Sequence, residues 1–524
     1  MTRITKWVLF ALSLSMFFNA GLQAQTINAA SCNASAVQAA LNAVTASTTT
    51  VNIPAGTCTW TSQVAFTVPA GVASLSIVGA GSLTTTGGGD KTVIVDNIGA
   101  DTSPVSITTN STGFFRLAGI TFNAGTGTGK DDGFVVVYGP SSNVRIDHCH
   151  FNNTTGTDEV TRALSVLDTY GVADHNIFDL GTSSSPGEIN GIVVANPGAG
   201  TFGDESWAAA TGLGSANFFF AEDNTVNYGA ANDCQHGGRF IWRYNAFNTT
   251  STQTHPTGGA GRGRGCRAWE VYENTYSGAA GSQYNAFWLS SGTGVIWGNN
   301  AGSGSAYQQF LTLHSMRKNS ATYSETATPN GWGYCGTSSG LAGGGSTWDQ
   351  TQGSAGYACL DQPGRGKGDL LGGQFPNACD MTTGCTTYNG TWSNQALEPI
   401  YTWLNTGTYQ NAVFMGGLDS GTALAETNNH DYYLWCNSSA STGCTTFTGA
   451  SGVGSGLLSA RPSTCTAQVG YWATDTNTLY VCAATNTWST YYAPYTYPHP
   501  LTQGSGGTTG SNPSPPTVLQ ATAR

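Results

Sequence analysis

The 524-residue chain carries 18 basic and 29 acidic residues, a formal charge of −11, and only 9% of its residues are charged. An acidic chain lacks the basic face that general nucleic-acid binding requires, so that class of function is excluded. Glycine is abundant, at 71 residues, but the 11% of aromatic residues indicates a folded protein with many turns and not a disordered linker.

The N-terminus has the features of a signal peptide, which we predict at 1–24. Arg3 and Lys6 precede an apolar run at 7–18, and the small residue Ala24 stands before a polar one. This run is too short to span a bilayer comfortably, so we expect cleavage near Ala24 and export of the remaining chain. No later segment approaches about 18 consecutive apolar residues, and we therefore expect no stable membrane insertion.

Helical periodicity opens the exported part of the chain. Val37, Ala40, Leu41 and Val44 recur at the spacing i, i+3, i+4 and i+7, which places apolar residues on one face of an α-helix. The segment 50–60 then has the pattern of a strand, a turn and a second strand. A short amphipathic helix at this place would cover the open end of a solenoid, which otherwise exposes its core and strand edges.

An irregular repeat of short strands follows, and most of its units share an asparagine after the strand. The intervals between these asparagines are 48, 21, 29 and 25 residues, which suit one or two solenoid turns with loops of variable length. Stacked asparagines at a corner between strands can bond the adjacent rung's backbone and each other's amides. The repeat therefore predicts an all-β solenoid with an asparagine ladder. Its members are Asn176, Asn224, Asn245, Asn274 and Asn299.

The pattern also divides the chain. We predict a parallel β-helix over 25–330, followed over 331–503 by a C-terminal part of the same solenoid with cysteine-rich insertions. The strand-then-asparagine signature returns at 399–405, which favours insertions over a separate domain. Residues 504–524 are rich in Gly, Ser, Thr and Pro, so we expect a flexible tail there.

Thirteen cysteines in an exported chain predict a disulfide framework. No zinc-binding CxxC…CxxC pattern and no haem-binding CxxCH motif is present. Cys149 is left over, as a small residue that can stack inside a solenoid. Proximity in sequence suggests the pairs Cys32–Cys58, Cys234–Cys266, Cys335–Cys359, Cys379–Cys385, Cys436–Cys444 and Cys465–Cys482.

Several segments resemble the pectate-lyase-like superfamily. Residues 37–40 followed by Val-Asn-Ile-Pro-Ala-Gly at 51–56 are similar to its N-terminal cap, and Asn-Val-Arg-Ile-Asp-His-Cys-His-Phe at 143–151 is similar to one of its rungs. The asparagine-ending rungs and residues 494–501 are similar to exported bacterial right-handed β-helix proteins. The resemblance covers most of 30–300 and implies a right-handed parallel β-helix. This fold hosts lyases, hydrolases, adhesins and phage tailspikes, so the activity has to be argued from a site.

One region of the repeat concentrates charge. Five arginines lie within the 29 positions from 239 to 267, with acidic residues and histidines around them, in a chain otherwise poor in charge. Equivalent positions of successive rungs stack along one face of a solenoid and form an elongated groove, which suits an extended polymer. We therefore expect an extracellular acidic polysaccharide as the partner.

Cleavage of a uronic-acid polymer by β-elimination needs a cation at the sugar carboxylate and a base for the neighbouring proton. The resemblance implies a calcium ion held by Glu222, Asp223 and Asp233, and an arginine that acts as base or clamp. A histidine in the same region can move protons near neutral pH. The candidate catalytic residues are Arg267, Arg264, Arg262, His236, His255 and Arg239. The candidate substrate-binding residues are Arg243, Trp242 and Tyr272.

Structural roles compete with these functional ones. Arg243, Glu222 and Tyr272 each stand two residues before a ladder asparagine, so they can equally form a polar stack on one strand face. The pairs Asp147–His148 and Asp174–His175 are equivalent in neighbouring rungs, and outward polar pairs are a more frequent arrangement than a catalytic dyad.

Two other functions also fit the sequence. A non-catalytic glycan-binding, adhesive or structural protein could use loop tryptophans to stack on sugar rings, although each tryptophan can equally anchor its own disulfide loop. A glycoside hydrolase needs carboxylates at defined separation, and only Asp131–Asp132 resembles part of the polygalacturonase-type series. The hydrolase alternative therefore ranks below the lyase. The tryptophans in question are Trp332, Trp348, Trp392, Trp472 and Trp488.

Overall fold

A computed structural model describes residues 24–99, 102–126, 133–155, 162–181, 190–195, 210–255, 265–279, 283–302, 307–313, 361–366, 396–407, 413–415, 426–436 and 446–503. The predicted tail at 504–524 and residues 1–23 of the predicted signal peptide lie outside this part of the chain.

The described chain folds as a parallel β-helix, which confirms the predicted fold class. Successive rungs pair in parallel, with Val144 opposite Gly171 and Gly171 opposite Phe219. Sheet A contains Gln25–Asn28, Thr48–Asn52, Ser74–Val78, Phe114–Ala118, Val144–Asp147, Gly171–Asp174, Phe219–Glu222, Arg239–Arg243, Ala268–Tyr272, Thr293–Trp297, Ile400–Trp403 and Tyr432–Tyr433. Sheet B contains Gly56–Trp60, Thr92–Asp96, Thr121–Ala124, His150–Asn152, Ile177–Asp179, Thr225–Asn227, Ala246–Asn248 and Thr275–Ser277. Sheet C contains Val64–Thr67, Val105–Thr108, Val135–Tyr138, Arg162–Leu167, Asn190–Ala195, Ala230–Cys234, Ser251–Thr254, Gln283–Leu289, Tyr307–Leu313 and Val413–Met415.

Apolar side chains from the three sheets fill the interior, because alternate residues of each strand point inward. Phe122, Phe151 and Phe178 stack on consecutive rungs, with ring centroids 5.5 and 5.0 Å apart. The N-terminal end is covered by the helix Ala34–Asn42, which buries the predicted Val37, Ala40 and Leu41. The capping helix is thereby confirmed, and the apolar face that the sequence indicated is the face that packs on the solenoid.

The asparagine ladder is confirmed at the corner between sheets A and B. Each side-chain amide donates to the carbonyl oxygen of the next asparagine, at 3.0 Å from Asn176 to Asn224 and 2.9 Å from Asn245 to Asn274. The ladder continues from Asn299 to Asn405, also at 2.9 Å. Gly298, before Asn299, has a φ of 65°, and the non-glycine residues before ladder positions have a φ between 52° and 58°, a left-handed conformation that keeps this corner short. These residues are His148, His175, Asp223, Tyr244, Glu273 and Leu404.

We expect Asn245→Ala to destabilise the full chain by about 3 kcal/mol, because buried partners lose their hydrogen bonds. The Asn245 amide donates to the Ala221 carbonyl, and its oxygen accepts from the Asn224 backbone N–H. Denaturant unfolding would measure the change. The half-buried Asn248 side chain makes long contacts of 3.4 Å with Asn227 and Thr249, so Asn248→Ala should change the free energy of unfolding by less than about 0.5 kcal/mol. Equal losses in the two variants would contradict a ladder role.

A fourth sheet lies on the outer face of sheet A. Sheet D consists of Val453–Gly456, Gly470–Ala473, Thr478–Ala484 and Thr487–Tyr492. Its Trp472 packs against Trp297 and Trp403, with centroids 5.0 and 5.1 Å apart. The region predicted at 331–503 thus supplies strands to sheet A at 400–403 and 432–433, and it also adds a separate layer that the sequence pattern did not indicate.

Beyond sheet D the chain turns back over sheet A, and we name residues 493–503 the C-terminal strap. Its backbone carbonyls at Tyr495 and Thr496 accept hydrogen bonds from Arg243 at 2.8 and 2.9 Å. Further along, the Thr502 carbonyl accepts from Arg145 at 3.2 Å. The strap therefore runs from the rung of Arg243 back to the rung of Arg145 and covers the outer face of sheet A between them.

Three of the predicted disulfides are present, namely Cys32–Cys58, Cys234–Cys266 and Cys465–Cys482. Cys436 is also disulfide-bonded. Cys149 is a buried free thiol, and its backbone N–H donates to the Asn176 side chain at 2.9 Å, so it stands at the end of the ladder. The remaining predicted partners Cys335, Cys359, Cys379, Cys385 and Cys444 lie outside the described residues.

Candidate functional site

The three predicted substrate-binding residues are buried. Trp242 is 1% exposed and belongs to the interior core, so it has no surface to offer a polysaccharide. Arg243 and Tyr272 lie on the outer face of sheet A, but the C-terminal strap covers them. The Arg243 guanidinium binds Glu222 at 2.6 Å and the Tyr272 hydroxyl at 3.0 Å. Burial alone would lower the pKa of Arg243, but the neighbouring Tyr272 and Glu222 raise this pKa above the ordinary value for an arginine. These contacts fit the structural alternative, in which Arg243, Glu222 and Tyr272 form a polar stack on one strand face.

The residues implied for calcium do not form one site. Glu222 is fully buried and paired with Arg243, while Asp223 accepts a hydrogen bond from the Tyr497 hydroxyl at 2.8 Å. Asp233 lies in a strand of sheet C, whereas Glu222 and Asp223 lie at the end of a sheet A strand. Calcium requires several oxygen ligands around one point, which this set does not supply.

A second acidic group contains Asp147, His148 and Asp174, whose ligand atoms lie within 4.8 Å of one another. Two guanidinium groups already neutralise it, because Arg116 binds Asp147 at 2.6 Å and Arg145 binds Asp174 at 2.8 Å. Burial alone would raise the pKa of Asp147, but hydrogen bonds from Arg116 and His148 and the charge of Arg145 lower this pKa below its ordinary value. The group is an ion-pair network and not a metal site.

Of the three arginines predicted as base or clamp, the structure describes Arg267. Arg267 is fully buried and binds Glu398 at 2.8 Å, so the structure does not place it on a surface where substrate could reach it. Burial lowers the pKa of Arg267. Arg262 and Arg264 lie outside the described residues.

The outer face of sheet C brings together two residues that the sequence singled out. Asp233 alternates with the inward-facing Cys234 and therefore points outward, and its side chain is 9% exposed. His255 begins the turn after the next strand, with its Nδ1 atom 3.6 Å from the Asp233 Oδ2 atom and its side chain 38% exposed. Gln235 donates to the same carboxylate oxygen at 2.7 Å. Asp233 is thus held between Gln235 and His255.

A cleft of about 370 Å³ lies where the chain passes from sheet C to sheet A, and the Gln235 backbone N–H donates to the carbonyl of its lining residue Val194 at 3.0 Å. It is lined by Asp168 and Tyr170 from one rung and by Gly237, Gly238 and Arg239 from another. Arg239 donates to the Tyr170 hydroxyl oxygen at 3.3 Å, an arrangement that leaves the tyrosine O–H free to donate elsewhere. The cleft combines a cation, a phenol and a carboxylate.

We name these residues together the corner site. His236 belongs to the same turn, because it lies between Gln235 and the cleft-lining Gly237. The disulfide Cys234–Cys266 ties this turn to the following rung. Three of the predicted residues, Asp233, His236 and Arg239, therefore lie along one short segment of the chain, and His255 contacts Asp233; Asp233 and Arg239 are buried. The corner site consists of Asp168, Tyr170, Asp233, Gln235, His236, Arg239 and His255.

Sequence reasoning missed Tyr170 and Asp168. Tyr170 immediately precedes the sheet A strand Gly171–Asp174, and the alignment of Gly171 with Phe219 and of Phe219 with Phe240 makes Tyr170 equivalent to Arg239. That equivalence could have been found by aligning rungs on their sheet A strands. The sequence pattern was instead aligned on its asparagines, which mark the opposite end of the strand.

A row of outward side chains extends the corner site along sheet C. Asp233 is equivalent to Val193 in the preceding rung, Gln253 pairs with Trp288, and Trp288 pairs with Thr312. Val193 and Thr312 are buried, whereas Gln253 and Trp288, on adjacent rungs about 4.8 Å apart, present partly exposed side chains. Trp288 is partly exposed on this face.

Two of the loop tryptophans have structural positions. Trp472 is 3% exposed within the contact between sheets D and A. Trp488 donates its indole N–H to the Pro462 carbonyl at 2.8 Å and lies edge-on to Tyr471. Both residues anchor their own part of the fold, as the structural alternative predicted. Trp332, Trp348 and Trp392 lie outside the described residues.

Comparisons of the chain with protein-family models, with curated proteins and with solved structures gave no match. Disulfides between Cys32 and Cys58 and between Cys234 and Cys266 are typical of proteins from oxidising compartments. Among the described residues, no helix has the length and apolar character needed to cross a membrane.

Proposed function

We propose that the protein is a secreted, carbohydrate-active enzyme that binds an extracellular acidic polysaccharide along sheet C and cleaves it by β-elimination at the corner site. The observation that carries this proposal is the Asp233–His255 pair, which the turn at Gln235 connects to the residues Gly237 and Arg239 of the cleft. The disulfides, the leader sequence and the resemblance to pectate-lyase-like rungs support the same conclusion.

His255 is the base in this proposal. Its Nδ1 atom faces the Asp233 carboxylate, so its Nε2 atom is left to approach a sugar from the solvent side. A carboxylate beside one ring nitrogen fixes the orientation of the imidazole and stabilises the imidazolium that forms when the other nitrogen takes a proton. Gln235 holds Asp233 in place for this role.

Arg239 and Tyr170 supply the remaining requirements. The Arg239 guanidinium can neutralise the uronate carboxylate, which makes the adjacent C5 proton easier to remove. As His255 takes that proton, the C5–H electron pair forms the C4–C5 double bond and the glycosidic oxygen leaves from C4. Tyr170, whose oxygen accepts from Arg239, donates its proton to that leaving oxygen. The reaction needs no oxidant and no calcium ion, consistent with the absence of a shared site for Glu222, Asp223 and Asp233.

A spectroscopic assay tests the reaction type. We expect incubation of the full chain with pectate, alginate or glycosaminoglycans to produce the ultraviolet absorbance of an unsaturated uronide on at least one polymer. Because the proposed base and clamp are side chains, the absorbance should persist in a chelator. Reducing ends without absorbance would contradict elimination and favour a hydrolase, and loss of all signal in the chelator would contradict the metal-free mechanism.

Non-catalytic glycan binding is the second candidate, and the row of Gln253 and Trp288 beside Asp233 favours it. An aromatic ring with a neighbouring amide is a common sugar-binding combination, and it requires no base. In that case the polymer should bind without any change in absorbance or reducing ends. Trp288→Ala should then abolish binding, whereas His255→Asn should leave it intact.

A further inference from the structure

The C-terminal strap contains one histidine that is closed inside the protein. His499 is 5% exposed, and its ring lies against Phe220 and Tyr495, with centroids 4.7 and 5.6 Å apart. Its Nδ1 atom accepts the Leu501 backbone N–H at 3.2 Å, so this nitrogen carries no proton. The strap is therefore built around a neutral imidazole.

The charges around His499 oppose a proton on its ring. Arg243 and Arg145 both donate to strap carbonyls, and both are held there by carboxylates on sheet A. Glu222 is the nearest acidic partner, but it is already engaged by Arg243 and by the His499 backbone N–H at 2.7 Å. A protonated His499 would add a third buried positive charge with no carboxylate left to pair with it.

We propose that the strap is an acid-released latch, in which protonation of His499 detaches residues 493–503 from the outer face of sheet A. Detachment would give the imidazolium access to water and would uncover the ion pairs of Arg145 and Arg243. Other ionisable groups contact the strap or the residues that hold it. Direct contacts with strap residues come from Arg145, Glu222, Asp223, Arg243 and Tyr244. Asp174 and Tyr272 bind these arginines, Glu270 binds Tyr492 at the base of the strap, and Tyr495 and Tyr497 belong to the strap itself.

Burial, followed by the charges of Arg243 and Arg145, lowers the pKa of His499 from 6.5 to about 3. A group whose pKa is lowered in the closed state stabilises that state above the ordinary pKa, and the stabilisation is lost as the pH falls from 6.5 towards 3. Each pH unit in this window should increase the equilibrium constant for strap opening about tenfold.

Some neighbouring groups work in the other direction. Burial raises the pKa of Glu270 to about 7, and Glu270 accepts a hydrogen bond from the Tyr492 hydroxyl at the base of the strap. At acid pH Glu270 is neutral, which is the form that burial favours. Acid therefore stabilises the base of the strap through Glu270. The proposal is accordingly specific to the segment around His499 and requires a residue-level measurement.

Hydrogen exchange with mass-spectrometric readout on the full chain makes that measurement. After correction for intrinsic exchange, peptides covering 493–503 should open about 50-fold more between pH 6.5 and about pH 4.5, while peptides covering the asparagine ladder keep their protection. His499→Asn retains an acceptor for the Leu501 N–H but cannot be protonated, so its strap should show no such increase. His499→Gln provides a second non-ionisable variant.

Three results would overturn the latch. The first is an unchanged strap in the natural chain at low pH. The second is acid opening that persists in both non-ionisable variants, which would show that His499 is not the group whose protonation opens the strap. The third is loss of ladder protection in parallel with the strap, which would show global unfolding instead of local release.

Discussion

His255→Asn should lower kcat/KM for the elimination reaction by about 10²–10⁴-fold, the usual contribution of a general base. Asparagine removes the proton-accepting nitrogen but keeps a polar side chain of similar reach. The Asp233–His255 contact of 3.6 Å lies on the surface of sheet C, so the fold should be retained. The initial rate of ultraviolet absorbance on the most reactive polymer would measure the loss, with circular dichroism to confirm the folded state.

His175 offers a matched control for this variant. Its side chain is 41% exposed, and its Nδ1 atom lies 3.0 Å from Asp174, so it forms the same kind of histidine–carboxylate pair as His255 and Asp233. The pair of His175 and Asp174 lies at the end of a sheet A strand. His175→Asn should leave the elimination rate within about twofold, because its partner Asp174 is already paired with Arg145 at 2.8 Å and the pair lies outside the corner site. If the two variants lose activity equally, or if His255→Asn stays fully active, His255 is not the base.

Arg243→Gln should destabilise the protein by about 3–5 kcal/mol, which is the expected cost of leaving one member of a buried ion pair without its partner. Glu222 and Arg243 are both fully buried and lie 2.6 Å apart, and Arg243 also holds the Tyr495 and Thr496 carbonyls of the strap. Denaturant unfolding of the full chain would measure the change. Adding Glu222→Gln should recover part of the loss, because it removes the stranded charge.

Arg116→Gln is the corresponding control. Arg116 also binds a buried carboxylate, Asp147 at 2.6 Å, but its own side chain is 21% exposed. Asp147 would keep Arg145 at 3.4 Å and His148 at 2.7 Å, so we expect a loss of about 1 kcal/mol. A loss as large as that of Arg243→Gln would show that strap attachment and complete burial are not what makes Arg243 important.

The candidate site was predictable in part. Asp233, His236, Arg239 and His255 were selected because charge is concentrated in a chain that has little of it, and the structure places them in one region. The same criterion also selected Arg243 and Arg267, which are buried in ion pairs. Charge density in a sequence indicates where ionic groups gather. It does not distinguish pairs that the fold closes off from groups that it leaves to a ligand.

The sequence by itself determined the parallel β-helix, its capping helix, the asparagine ladder and three of the disulfides. Each of these depends on short-range periodicity or on a residue type whose role is the same in every rung, and such patterns are visible in one dimension.

Only the tertiary structure decided what covers the outer face of sheet A. Sheet D and the C-terminal strap cover sheet A, and one of the contacts responsible joins Arg145 to Thr502 across 357 positions. Which rung meets which distant segment depends on the lengths of the intervening loops and on packing between layers. The pattern of strands and asparagines carries neither kind of information, because both arise from contacts between residues far apart in the chain.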